Sequence, residues 1–288
     1  MNALRHSRYR ALGGLLILAC ATLVVWSLVF AATPTGVLTV AFLDVGQGDA
    51  IYIETPHGNQ LLIDGGKGRA VLRELGSRLS PYDRTLDAVL ATHPDMDHIG
   101  GLPELFARFN IALFLESGVH DDGADAAALR NAVTDEGLTF LPARAGTTLM
   151  LDEGVALTIL FPEGDVSAFE SNTGSVVARL SYGGTSFLFT GDSPASIERY
   201  LAGKHGAALR SDVLKLGHHG SDTSTTEEFL GFVAPRYGII SAGCDNPYGH
   251  PHRDVLARLE RFDVQALATC EHGTLVFESD GHDIRRTP

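Results

Sequence analysis

Apolar residues recur along this chain with two periods, and the order in which the periods alternate predicts a fold. Short apolar runs rich in β-branched and aromatic residues read as strands at 37–43, 50–54, 60–63, 86–92, 111–116, 138–141, 155–161, 175–182, 186–190, 212–216, 237–241 and 265–269. Pro56-His57-Gly58-Asn59 reads as the turn between the second and third, and Gly183-Gly184 as a two-residue hairpin turn. Elsewhere the spacing becomes helical. Leu102, Leu105, Phe106 and Phe109 share one face, and further helices are expected to about Leu79 and over 125–136, 193–201, 225–233 and 253–262. Hairpins come first, alternating strands and helices follow, and the sequence runs through this order roughly twice. The pattern predicts an α/β protein of two similar halves, each a mixed sheet with helices outside.

The first residues follow a different pattern. Arg5, Arg8 and Arg10 precede an uncharged apolar run over 11–32 that shows no amphipathic face. Such a run is about long enough to cross a hydrocarbon core as one helix. Its positive flank predicts that everything beyond it lies outside the cytoplasm, in the membrane-anchored or exported state. Phe30-Ala31-Ala32 offers small residues for signal cleavage, but the run is long for a signal peptide, so an anchor is favoured. Residues 33–36 read as a linker. The expected organisation is an anchor or signal segment at 1–32 and one domain at 33–288.

Candidate chemistry collects at the ends of the expected strands. His93-Pro94-Asp95-Met96-Asp97-His98 follows the strand at 86–92 and opens a helix, so four possible metal ligands fall in one turn. Open α/β sheets place their sites at such strand ends. A tight turn splays alternate side chains apart, so one loop can serve two ions. Thr190-Gly191-Asp192 ends another strand with a carboxylate that either bridges two cations or caps the next helix. Gly217-His218-His219-Gly220 ends a third with adjacent imidazoles. Asn172 precedes a strand and would cap a metal or contact substrate. His250, after the strand at 237–241, would hydrogen-bond an anionic substrate or leaving group.

Composition narrows the partners. The formal charge is −13, so the body repels polyanions at long range and a broad grip on duplex DNA is disfavoured. Three cysteines supply no paired metal motif, which excludes a thiolate zinc site. Cys244 and Cys270 would pair in an oxidising compartment, although two free buried thiols is the plainer reading.

Taken together, 42–50 (FLDVGQGDA), 62–66 (LIDGG), 93–101, 172–175, 190–192, 218–221 and 246–251 resemble, in order, the motifs of the metallo-β-lactamase superfamily. More narrowly they resemble the metallo-β-lactamase-like domain of ComEC-type competence proteins. The resemblance implies a four-layer αβ/βα sandwich, here preceded by one N-terminal apolar helix, and a hydrolase using two divalent ions, Zn or Mn. It assigns His93 and Asp95, with Asn172, to the first ion. Asp97, His98 and one of His218 and His219 go to the second, and Asp192 bridges. Asp97 would also orient the attacking water, His250 would steady the departing charge, and Asp44 and Asp64 would support the ligands from behind.

Two departures from the superfamily pattern matter. Asp95 stands where most members have a second histidine, which is itself ComEC-like, and the usual third histidine of the first site is missing. Oxygen donors therefore dominate there, and manganese competes with zinc. The expected substrate is a phosphodiester, possibly DNA. The alternatives are other cell-envelope phosphoesters or lactones, or a relic that only binds metal. One apolar segment cannot supply the polytopic channel that accompanies this domain in ComEC, so DNA uptake is not implied. The oligomeric state is left open.

Overall fold

The computed structural model describes residues 2–31 and 36–287, with side chains described for 12–26 and 36–287. By contact the chain separates into residues 1–35 and residues 36–288.

In the first unit, Asn2–Ala31 is helical. Its described side chains are exposed, and Thr22 Oγ1 donates to the Leu18 carbonyl at 2.8 Å. Among the described residues no helix is long and apolar enough to cross a membrane. The ends of the 11–32 run lie outside the described side chains. Ala32 of the expected cleavage site and residues 33–35 of the expected linker lie outside the described residues altogether.

The second unit is built on two sheets. The first contains β1 (Leu38–Phe42), β2 (Ile51–Glu54), β3 (Gln60–Ile63), β4 (Thr85–Ala91), β5 (Asn110–Glu116) and β6 (Phe140–Pro142). The second contains β7 (Thr148–Asp152), β8 (Val155–Phe161), β9 (Val177–Tyr182), β10 (Thr185–Phe189), β11 (Val213–Lys215), β12 (Tyr237–Ile240) and β13 (Gln265–Ala268). The chain then returns to the first sheet with β14 (Leu275–Ser279) and β15 (Ile284–Thr287). The strand orders are β15-β14-β1-β2-β3-β4-β5-β6 and β13-β12-β11-β10-β9-β8-β7. In each sheet an antiparallel meander passes into a parallel half, at β3–β4 in the first and β10–β11 in the second.

Three apolar layers hold the unit together. Val40, Phe42, Leu157, Phe187, Phe189 and Phe277 belong to one cluster that draws on both sheets. The Phe42 ring lies 6.2 Å from that of Phe189 and 6.0 Å from that of Phe277. On the outer side of the first sheet, Leu62 and Val89 pack with Leu75, Phe106 and Leu129 of helices Ala70–Gly76, Leu102–Phe106 and Ala124–Asp135. On the outer side of the second, Leu188 and Leu214 pack with Leu201, Phe229 and Leu259 of helices Ala195–His205, Glu227–Val233 and Arg253–Arg261. Central strands bury both faces, which explains their continuous apolar runs. Burying one such side chain stabilises the fold by roughly 1.5–3 kcal/mol.

Three strands go beyond the sequence reading: β7, β14 and β15. β7 is an edge strand whose apolar run is only Leu149-Met150-Leu151, with Met150 exposed, and β15 is Ile-Arg-Arg-Thr, with no apolar run. Cys244 and Cys270 are joined by a disulfide with Cα atoms 5.4 Å apart, which corrects the reading of two free thiols. The bond ties the segment after β12 to the end of β13.

Candidate metal centre

Every predicted ligand except Asn172 sits just past the C-terminal end of a parallel strand. Asp64 follows β3, and His93 to His98 follow β4 in a turn and short helix, Met96–Ile99. Asp192 follows β10, His218 and His219 follow β11, and the segment after β12 carries His250. The backbone is forced at three of these positions. Asp64, His218 and His219 have φ of 59°, 48° and 54°. Left-handed backbone costs a non-glycine residue of order 1–3 kcal/mol, and such strain gathers where side chains must be aimed. The helix after Asp192 begins at Ala195 with Pro194 as its N-cap, so the Asp192 carboxylate is not spent on capping.

Asp192 is the centre of the cluster. Its Oδ1 lies 3.3 Å from His98 Nε2. Its Oδ2 lies 3.3 Å from His219 Nε2, 3.8 Å from His218 Nε2 and 3.9 Å from His93 Nε2. His93 Nε2 is also 3.6 Å from Asp95 Oδ2, and His219 Nε2 is 3.3 Å from Asp97 Oδ2. His93 thus pairs with Asp95 and His219 with Asp97, Asp192 reaches both pairs, and the His98 ring lies 4.0 Å from that of His93 and 5.2 Å from that of His219. His218 approaches the shared oxygen from the more open side, its Nδ1 3.1 Å from Thr223 Oγ1.

Partners behind the donors fix their direction. Asp64 Oδ2 lies 2.8 Å from His98 Nδ1 and also accepts from Thr92 Oγ1, while Asp64 Oδ1 accepts from the Thr92 amide. Ser171 Oγ donates to Asp95 Oδ1 at 2.6 Å. Ser175 Oγ accepts from the Asp192 amide and lies 3.4 Å from His93 Nδ1. Asn172, between these serines, keeps its Oδ1 buried without a hydrogen-bond partner. Asp44 is placed differently from expectation: its Oδ1 accepts from the Gly46 amide within its own turn. Asp49, five residues on, takes the supporting place instead, with Oδ1 3.3 Å from His219 Nδ1 and Oδ2 2.6 Å from Lys215 Nζ. His250 stands beyond His218, ring centroids 5.6 Å apart, and Asn246 Oδ1 holds its amide.

These residues fit divalent cations. His93 Nε2, His98 Nε2, His219 Nε2 and Asp192 Oδ1 are buried, convergent and without hydrogen-bond partners. An unsatisfied buried polar atom costs about 1–3 kcal/mol, and bound cations would remove that cost. Asp49, His98, Asp192 and His219 each offer a ligand atom within 4.8 Å of one another. The electrostatics match. Burial alone would discharge His98, but the Asp192 and Asp64 carboxylates outweigh it and hold the imidazole well above the usual histidine range. Burial likewise opposes charge on His219, and Asp192 and Asp49 overcome it. Burial opposes ionisation of Asp192, yet His219 and His98 hold its carboxyl well below the usual range. Burial and the neighbouring His218 push His250 down to about 4, so it is a neutral imidazole at physiological pH.

The fold and this cluster define a class of protein. Residues 43–243 match the family model described as the metallo-beta-lactamase superfamily, and the chain belongs to that superfamily. Within it the chain is homologous to ComEC-like competence proteins. It is 33% identical over 256 residues to ComE operon protein 3 of Bacillus subtilis (strain 168), covering 83% of this chain and 32% of that protein. It is 31% identical over 247 residues to competence protein ComA of Neisseria gonorrhoeae, covering 85% and 33%. The chain therefore spans about a third of the length of these relatives. Among solved structures it resembles Igni18, a metallo hydrolase of the archaeon Ignicoccus hospitalis, with TM-score 0.53 and 17% identity over 84% of this chain and 99% of that one. That likeness speaks to the fold alone.

Proposed function

We propose that this chain is a dinuclear metal-dependent hydrolase of phosphodiesters, anchored in or exported across the cytoplasmic membrane, with DNA among its candidate substrates. The observation that carries the reading is Asp192, whose Oδ2 lies between His93 of one donor set and His219 of the other, 3.9 and 3.3 Å away, while Oδ1 faces His98. His93, Asp95 and Asn172 would hold one ion, and Asp97, His98 and His219 the other. When bound, two such ions supply Lewis acidity toward phosphoryl oxygens and lower the pKa of an attacking water.

The chain's own residues do the rest. Asp97 and Asp95 are the acids of the cluster that reach solvent, and Asp97 would accept a hydrogen bond from the attacking water and orient it. His250, neutral at physiological pH, would hydrogen-bond the leaving oxygen rather than add a positive charge. Asp64 and Ser171 keep His98 and Asp95 from turning away as substrate enters. Oxygen donors outnumber imidazoles around His93, which favours harder ions and supports manganese beside zinc. The acidic body supports small or single-stranded substrates over long duplex DNA at low salt.

Location outside the cytoplasm is supported by the three arginines ahead of the apolar run and by the Cys244–Cys270 disulfide, which suits an oxidising compartment. Metal analysis of the full chain, followed by phosphodiester, lactone and β-lactam substrates with Mn²⁺ and Zn²⁺, tests the chemistry. Two ions per chain and preferential phosphodiester cleavage are expected. A lactone preference would move the reaction to carbonyl carbon, and metal binding with no turnover would reduce the chain to a metal-binding relic. A reporter fused after Pro288 should be active only when exported; activity confined to the cytoplasm would reject the topology.

A further inference from the structure

Lys215 takes no part in the chemistry above, yet its side chain is 0% exposed. It closes β11, three residues before His218, in register with Phe189 of β10 and Ile239 of β12. An aliphatic side chain would pack at that position. Burying an ammonium and a carboxylate carries a desolvation penalty of several kcal/mol per ion, so an apolar pair is often the more stable choice. The ammonium instead has two partners, Asp49 Oδ2 at 2.6 Å and the Leu216 carbonyl, to which it donates, at 3.0 Å.

The other oxygen of Asp49 shows what that placement achieves. Asp49 Oδ1 faces His219 Nδ1 at 3.3 Å, while His219 Nε2 faces Asp97 and Asp192, each at 3.3 Å. The two nitrogens of an imidazole point away from each other, so a carboxylate on Nδ1 selects the tautomer whose Nε2 lone pair is free for metal. His98 meets Asp64 through a closer hydrogen bond, Nδ1 to Oδ2 at 2.8 Å, whereas Asp49 Oδ1 and His219 Nδ1 face each other without one, and Asp64 is held by neutral donors on Thr92. Asp49 has a buried cation in their place. Its backbone is also tied to the ligand loop, its amide donating to the Asp97 carbonyl at 3.2 Å.

We propose that Lys215 is a positioning residue of the metal centre: it pins one oxygen of Asp49 so that the other holds His219 by Nδ1 and aims Nε2 at the shared ion position. The proposal rests on the metal-centre reading above, and it makes a prediction opposite to its rival. If Asp49 were itself a ligand, Lys215 would compete with metal for it, and removing Lys215 would tighten binding. If Lys215 acts through Asp49 on His219, removing it loosens binding.

The test is the affinity of the full chain for Mn²⁺ and for Zn²⁺, by competitive titration, in wild type, Lys215→Met, Asp49→Asn and the double variant. Each single change should weaken one of two binding steps about 10–100-fold. The double variant should be no weaker than the worse single variant, because both act along one chain of contacts. In the zinc-loaded wild type, ¹H–¹⁵N spectra should show His219 protonated at Nδ1, and Lys215→Met should lose or broaden that signal. Should Lys215→Met fail to fold, the double variant carries the test, since it leaves no unpaired buried charge. Wild-type affinities in any folded variant lacking Lys215 would overturn the proposal, as would tighter binding. A wild-type chain that binds no metal would overturn both the proposal and the reading beneath it.

Discussion

Asp192 is the residue on which the site depends. Asp192→Ala should remove at least one of two bound ions and lower phosphodiester hydrolysis by more than about 100-fold, with the far-ultraviolet spectrum unchanged. Metal analysis and an assay on the same preparation check this; two ions and full activity would refute the bridging role. Proton linkage gives a second expectation. His98 and His219 have raised pKa values without metal, so their contacts to carboxylates contribute stability that is fully present below the unfolded value of about 6.5. That contribution fades as the pH rises through the folded values. Metal competes with those protons, so its affinity should climb over the same window, and binding near pH 7 should release protons. Calorimetry in buffers of different ionisation enthalpy measures the release; none at pH 7 would contradict the assignment. Most of this cluster was legible in the sequence because His93 to His98, Asp192 and His218-His219 each end an apolar run. Asp49 was not read as a supporting residue, because the Asp44–Asp49 turn offers two aspartates and only the buried Lys215 distinguishes them. Lys215 looked like any strand lysine.

Two elements hold the site from outside it. The glycine turn after β1 is one. Gly48 has φ of 111°, and a Cβ there would collide with the Asp97 backbone carbonyl, which belongs to the ligand loop and cannot swing aside. Gly48→Ala should cost at least about 2 kcal/mol and lower metal occupancy, as denaturant titration and metal analysis would show. Wild-type values for both would mean the two loops are not mechanically joined. The segment between β12 and the helix Arg253–Arg261 is the other. The disulfide across 26 residues should stabilise the fold by about 3 kcal/mol. Reduction, or Cys270→Ser, should lower the melting temperature by about 6–12 °C. It should also weaken catalysis, because Cys244 anchors the segment that carries His250. An unchanged melting temperature would count against that tie. At this scale the sequence located the strands that bury one or both faces, because hydrophobic period reports burial. It overlooked β15, which has no apolar run, and β7 and β14, whose runs Leu149-Met150-Leu151 and Leu275-Val276-Phe277 are only three residues long. That β14 pairs with β1 is a long-range return that no local signal encodes.

For the whole molecule, the two sheets bring the C-terminal ends of β3, β4, β10, β11 and β12 to one place, so residues from Asp49 to His250 form one site. The paired halves were anticipated from the repeated order of hairpins and alternating elements. The convergence of the two sheet ends came from the superfamily resemblance rather than from periodicity. The chain's formal charge is −13, so ions bound in the cluster would supply positive charge to a phosphate, and activity should depend on them steeply. The most direct test is the rate of cleavage of a small chromogenic phosphodiester by the metal-free full chain as Mn²⁺ or Zn²⁺ is added in measured equivalents. The account predicts negligible rate without metal, a rise that saturates at two ions per chain, manganese at least as effective as zinc, and a β-lactam cleaved far more slowly. Efficient β-lactam cleavage with zinc, and no phosphodiester cleavage with either ion at full occupancy, would contradict it.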